Sequence, residues 1–246
     1  MKSDVIFPRE GAEWTNIWFD EGLYFDRTRV ALIGDSITHH YRPVVQNIIK
    51  DEMGLPISVD MMSGSRCAGD PALYAELECF FGSANGYKYD VIHFNNGLHG
   101  ACNNSMIDYN VFCEGFVKCI ELLHKLQPQA KIILSTLTDM NYGDEYITRE
   151  GLKEKNDLVE KRDIFIRKYA EENGYVLDDL RALVCGKPDL YTQPDGIHYD
   201  KAGVRAMAEQ VTKLVLEAID INTVTSGTAA DEAATAGAMK KNAKTF

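Results

Sequence analysis

The chain has 246 residues, of which 45% are hydrophobic, and its formal net charge at pH 7 is −11. This length and apolar content are sufficient for one domain with a large core. Binding to phosphate groups requires clustered lysine and arginine side chains, which this acidic chain lacks. We therefore expect neither nucleic acid nor anionic membrane surfaces as partners.

The start of the chain lacks the apolar stretch of a secretory signal, and no apolar run approaches the length that crosses a bilayer. We therefore expect a cytoplasmic protein, or a secreted one if a signal has been removed. The six cysteines form no Cys-x-x-Cys pair, which favours reduced thiols over a disulfide framework or a zinc site. His39 and His40 are adjacent on a predicted helix and point apart, so we expect no metal and no cofactor.

Strand and helix patterns alternate along the chain. The strand patterns cover residues 29–33, 57–62, 89–94, 131–136 and 175–178. The helical patterns cover about 41–53, with Pro43 in the first turn, and about 106–127, 149–173 and 200–220. This alternation predicts an α/β fold, a flavodoxin-like three-layer doubly wound sandwich with about five parallel strands in the order 2-1-3-4-5.

The composition divides the chain into three parts. Residues 1–28 form a flank that is rich in aromatic side chains, Trp14 among them, and that we expect to pack on the domain; a role in a substrate cleft is the alternative. Residues 29–221 form the domain itself. Residues 222–246 are rich in Ala, Thr, Ser and Gly, so we expect a disordered or weakly helical tail.

A serine stands where the first predicted parallel strand ends. Gly34-Asp35-Ser36-Ile37 directly follows the apolar run, and a helix begins just beyond it. This arrangement places the Ser36 hydroxyl at the carboxyl edge of the sheet, near the positive end of a helix. Taken alone, Asp35 and Ser36 are equally typical of helix caps.

A second pair of polar side chains follows the last predicted strand. Asp195 precedes His198 by three residues, so both side chains lie on one side of a turn, and the carboxylate can bond Nδ1 while Nε2 faces Ser36. In the expected strand order, Gly64, Ser36 and the Asn95-Asn96 pair follow three neighbouring strands. The long loop after the fifth strand would bring Asp195 and His198 to that same edge.

These blocks resemble the SGNH, or GDSL-like, hydrolases over roughly residues 29–220. That family has an early Gly-Asp-Ser and a late Asp-x-x-His, so the resemblance implies that Ser36, Asp195 and His198 are catalytic. It also implies an oxyanion hole built from the backbone N–H groups of Ser36 and a glycine, and from an asparagine side chain.

The two middle blocks of the family supply that glycine and that asparagine. Gly64 fits the glycine, although it could equally be a turn residue. The family usually has Gly-x-Asn-Asp in the third block, whereas this chain has Asn95-Asn96-Gly97-Leu98-His99-Gly100. The resemblance implies Asn96, or else Asn95, as the donor. If Asn96 only forms a left-handed Asn-Gly turn, the hole would depend on Ser36 and Gly64, with Asn95 or His99.

The resemblance implies a serine esterase that forms an acyl-enzyme on Ser36. No amphipathic lid is evident and the chain is acidic, which favours short acyl groups, such as acetyl on a carbohydrate, and a small-molecule or carbohydrate ester as the partner. Lipase, lysophospholipase, thioesterase and acyltransferase activities remain open, as does an inactive carbohydrate-binding module. The sequence does not define the oligomeric state.

Overall fold

The computed structural model describes residues 7–8, 10–101, 106–140, 149–190 and 196–227. Six strands form one sheet. They are β1 (Thr15–Trp18), β2 (Arg29–Gly34), β3 (Ser58–Gly64), β4 (Val91–Phe94), β5 (Lys131–Ser135) and β6 (Val176–Asp178). Within these ranges, six α-helices accompany them: α1 (Ser36–Asn47), α2 (Pro71–Phe81), α3 (Tyr109–Leu126), α4 (Arg149–Asn173), α5 (Leu180–Val184) and α6 (Lys201–Ala218).

The sheet has the order β1-β3-β2-β4-β5-β6. The strands from β2 to β6 are parallel, and their order confirms the predicted 2-1-3-4-5 arrangement. Beyond them, β1 adds an antiparallel edge strand that pairs Thr15 with Gly64 and Trp18 with Met61. The flank therefore contributes to the sheet itself.

The apolar run of β2 lies at the centre of the core. Val30, Ala31 and Leu32 are fully buried, because helices cover both faces of the sheet. Helices α1 and α6 pack together, whereas α3 packs against both α2 and α4. The strand order reverses at β2, because β3 lies on one side of it and β4, the next strand along the chain, lies on the other. In open α/β sheets, ligands bind at the carboxyl ends of the strands at such a point.

Helix α1 begins five residues earlier than the pattern from about residue 41 predicts. It starts at Ser36 because the Asp35 side chain caps it by accepting a hydrogen bond from the Ile37 N–H at 2.9 Å. Pro43 consequently lies inside the helix, so its predicted place in the first turn is wrong. At its other end, α1 passes into a π-helical turn, Ile48–Glu52.

A buried ion pair ties the flank to the sheet. The Arg29 guanidinium donates to Asp60 at 2.8 Å, and both side chains are fully buried. The same two residues bind the backbone of Asp20: Asp60 accepts from its N–H at 2.8 Å and Arg29 donates to its carbonyl at 3.0 Å. Burial raises the pKa of Asp60, although Arg29 opposes this effect.

The start of the predicted tail also contacts this region. The Thr225 N–H donates to Thr28 Oγ1 at 3.0 Å, and residues Ile221–Thr223 form a 3-10 turn. Residues 228–246 lie outside the described residues, so the predicted character of most of the tail, and the domain boundaries, stay predictions.

Candidate active site

The Ser36 hydroxyl lies at the first residue of α1, directly beyond the carboxyl end of β2. The turn before it needs a glycine: a Cβ on Gly34 would approach Thr38 Oγ1 to 2.0 Å and the Asn95 carbonyl oxygen to 2.5 Å. Ser36 is half-buried. The unpaired N–H groups of a helix N-terminus make this a favourable position for developing negative charge.

The structure brings His198 to Ser36. The His198 Nε2 lies 2.8 Å from the Ser36 Oγ, although the two residues are 162 positions apart. His198 lies three residues before α6, and the packing of α6 on α1 helps to hold the two groups together. The His40 ring lies edge-on to the His198 ring, with a centroid distance of 4.9 Å. Asp195 lies outside the described residues.

Asp35 directly precedes Ser36 and is buried. Burial raises the pKa of its side chain, while electrostatic interactions with His99 and His198 and the hydrogen bond from Ile37 act in the opposite direction. Because the Asp35 carboxyl accepts the first hydrogen bond of α1, it also fixes the direction of the helix that begins with Ser36.

Gly64 ends β3, opposite Thr15 of β1. A Cβ at this position would come within 2.8 Å of the Trp14 carbonyl oxygen, so the close passage of the flank requires a glycine here. The next residue, Ser65, donates its N–H to the Trp14 carbonyl and accepts the Trp14 N–H on its Oγ, both at 3.0 Å. The loop after β3 is therefore held by the flank.

The Asn96 side chain joins the loop after β4 to the loop after β3. Its Oδ1 accepts from the Ala68 N–H and its Nδ2 donates to the Arg66 carbonyl, both at 2.8 Å. Because a backbone N–H can only donate and a carbonyl can only accept, the amide has one orientation. One Nδ2 hydrogen is used for Arg66, and a bond to an oxyanion would use the other.

The left-handed turn at Asn96 that the sequence left open is not formed. Among the described residues other than glycine, only Glu21 has a positive φ, and the positive φ values in this loop fall on Gly97, at 143°, and on Gly100, at 68°. The neighbouring Asn95 donates its N–H to the Ile33 carbonyl at 2.8 Å.

His99 also lies in this region. His99 Nδ1 is 2.7 Å from Glu10 Oε1, so the flank reaches the loop after β4 as well. Burial alone would lower the pKa of His99, but the hydrogen bond to Glu10 and the charges of Asp35 and Glu13 outweigh it, and the pKa is raised. The Trp14 ring lies edge-on to both His99 and His39, with centroid distances of 6.3 Å and 6.4 Å.

This pairing predicts a pH-dependent effect of Glu10→Gln on stability. A histidine whose pKa is raised by folding contributes stability that is present below its unfolded value, about 6.5, and is lost as the pH rises through the folded value. We therefore expect Glu10→Gln to lower the free energy of unfolding more at about pH 6 than at about pH 9. Urea unfolding at the two pH values measures the difference.

The control for this experiment is the same substitution in a His99→Gln background, where the effect of Glu10→Gln should no longer depend on pH. An equal effect of Glu10→Gln at both pH values in the otherwise unchanged protein would contradict the pairing.

Arg162 on α4 fixes the loop that carries Asn96 and His99. Its guanidinium is fully buried and donates to the carbonyls of Gly97 at 2.7 Å, Gly100 at 2.9 Å and Ile107 at 2.9 Å. It also lies over the Phe112 ring, 4.5 Å from the centroid. In the sequence this arginine is one charge among many on a long charged helix, so sequence reasoning missed it, as it missed Glu10.

A scan against models of known protein families gives no match, and neither does a search of the curated proteins. Solved structures do match. A carbohydrate esterase family 3 protein from Talaromyces cellulolyticus aligns with a TM-score of 0.63 at 16% identity, covering 80% of this chain and 100% of that one. A GDSL-like lipase from Bacteroides thetaiotaomicron aligns with a TM-score of 0.60 at 16% identity, covering 78% and 89%.

The chain has the SGNH hydrolase fold. An acetyl xylan esterase also aligns with it, with a TM-score of 0.58 at 22% identity, covering 76% of this chain and 99% of that one. The predicted resemblance is thereby confirmed at the level of the fold. Among the helices that the structure describes, none has the length and apolar character needed to cross a bilayer.

Proposed function

We propose that this protein is a serine esterase that forms an acyl-enzyme on Ser36. The observation that carries the proposal is the 2.8 Å contact between Ser36 Oγ and His198 Nε2 at the carboxyl edge of an SGNH-type sheet. A serine hydroxyl is a weak nucleophile until a neighbouring imidazole takes its proton, and this contact supports that transfer.

The reaction has two halves. His198 Nε2 takes the proton of Ser36 as the oxygen attacks the acyl carbon, and then gives it to the leaving alcohol oxygen as the ester bond breaks. Water attacks the acyl-enzyme with His198 again as the base, which releases the acid and restores the Ser36 hydroxyl. Asp195 is proposed to bond Nδ1 and hold the ring in the required tautomer.

The oxyanion of each tetrahedral intermediate needs donors that are already in place. We assign this role to the backbone N–H groups of Ser36 and Gly64 and to the second Nδ2 hydrogen of Asn96. The two bonds that fix the Asn96 amide support its inclusion, because a donor held in one orientation needs no reorganisation during the reaction. Asn95 is the alternative donor.

The substrate is proposed to be a short-chain ester of a carbohydrate. Solved structures with this fold include a carbohydrate esterase and an acetyl xylan esterase by name, which supports the choice. We expect kcat/KM to fall from p-nitrophenyl acetate to butyrate to octanoate in initial-rate assays, with Ser36→Ala from the same preparation as the control. A higher kcat/KM for octanoate than for acetate would contradict the proposed substrate and favour a lipase.

A further inference from the structure

A row of aromatic rings runs beside the Ser36 hydroxyl. It begins at His198 and continues through His40, His39 and Trp14 to His99, with successive centroid distances of 4.9, 6.0, 6.4 and 6.3 Å. The proposed mechanism uses only the first of these rings. Because the row begins at the histidine that would protonate the leaving oxygen, the alcohol part of an ester is the part of the substrate that lies nearest to its first ring.

Trp14 is the largest member of this row, and the flank supplies it. Its backbone is fixed on both sides by Ser65, and Ser65 Oγ in turn donates to Glu13 at 3.0 Å. The indole is half-buried, so part of it remains exposed to solvent. These hydrogen bonds hold the backbone of Trp14 in place, while part of the residue is exposed to solvent.

A ring row of this length exceeds what an acetyl group could contact. A pyranose presents C–H groups on its faces and hydroxyls around its edge, and aromatic walls with a few polar ring atoms match both. We propose that Trp14 is a specificity-determining residue that packs against a sugar ring in the alcohol part of the substrate. This inference rests on the proposed esterase function, which it deepens by naming a residue that recognises the carbohydrate.

The chain offers a matched control for Trp14. It has two tryptophans, and the other is Trp18 at the far end of β1. Trp18 is 52% exposed and does not belong to the row of rings. The Arg42 guanidinium lies over the Trp18 ring, 5.1 Å from the ring centroid. Both residues belong to the same flank, so comparing them separates recognition of the sugar from packing of the flank.

Fluorescence tests the proposal without depending on turnover. In Ser36→Ala with Trp18→Phe, Trp14 is the one remaining tryptophan, and we expect a saturable change in its emission on titration with acetylated xylotriose, acetylated cellotriose or acetylated chitotriose. In Ser36→Ala with Trp14→Phe, where Trp18 remains, the same titrations should leave the emission unchanged. No change in the first variant with any of the three sugars, or an equal change in both variants, would overturn the proposal.

Kinetics supply the second readout. Trp14→Ala is expected to lower the ratio of kcat/KM on an acetylated xylo-oligosaccharide to kcat/KM on p-nitrophenyl acetate about tenfold, as the loss of one aromatic contact predicts. Trp18→Ala should leave this ratio unchanged. An equal loss on both substrates would show a packing role and contradict the inference. If the unsubstituted protein hydrolyses neither ester, the esterase function fails, while the fluorescence titration still reports on Trp14.

Discussion

Ser36→Ala is expected to lower kcat for ester hydrolysis by about 10⁴- to 10⁶-fold, because removing the nucleophile of such a site leaves only binding and oxyanion stabilisation. His198→Ala should cost about as much, since the hydroxyl at 2.8 Å from its Nε2 would lose its base. The double variant should be no slower than either single variant, because the two groups act as a unit. Initial rates on p-nitrophenyl acetate measure all three.

The matched control for this experiment is Ser135→Ala. Ser135 is a buried serine that ends β5 at the same edge of the sheet, and its Oγ donates to the Thr136 carbonyl at 3.1 Å. We expect kcat to be nearly unchanged in this variant. If Ser36→Ala kept more than about one hundredth of the activity, Ser36 would not be the nucleophile.

Asn96→Ala is expected to lower kcat by about 10²- to 10³-fold, or about 3 to 4 kcal/mol of transition-state stabilisation. The physical reason is the loss of a preorganised donor to the developing oxyanion, so kcat should change more than KM. Steady-state kinetics on the acetate ester separate the two constants.

Asn96→Ala also removes the two bonds that join Asn96 to Arg66 and Ala68, so a second substitution is needed. Asn96→Asp keeps an acceptor for the Ala68 N–H but has no amide hydrogen, and it should lose kcat as Asn96→Ala does. Asn95→Ala should lose less. A larger loss for Asn95→Ala than for Asn96→Ala, with equal thermal stability, would reassign the donor to Asn95.

The sequence predicts long, periodic elements well. Helix α4 begins and ends where its pattern predicts, because a charged face, an apolar face and the Asn173-Gly174 stop all agree, and Gly174 has a φ of +70°. The apolar run of β2 likewise predicts a strand buried on both faces.

Elements that depend on partners far along the chain are less predictable. Strand β1 has four exposed residues without alternation, and it is a strand only because β3 offers a free edge for pairing. Helix α2 differs, because its sequence does contain a start signal: Asp70 caps it and Pro71 follows at the first helical position. This helix is therefore predictable from its own residues, although the strand and helix patterns described above do not include it.

The same contrast applies to the site. Ser36 and His198 were identified from short motifs, and the strand order explains why they meet. Glu10 and Arg162 reach the site only through contacts that span 89 and 65 residues, to His99 and Gly97. No local pattern marks such side chains, because their role is set by the tertiary fold.

Trapping the nucleophile by mass spectrometry tests the central claim most directly. After treatment of the intact protein with a fluorophosphonate, we expect one added phosphonyl group on the peptide that contains Ser36, much slower addition in His198→Ala, and none at this peptide in Ser36→Ala. A protein that takes up no phosphonyl group, or one that is labelled equally in Ser36→Ala, would contradict an acyl-enzyme mechanism at this serine.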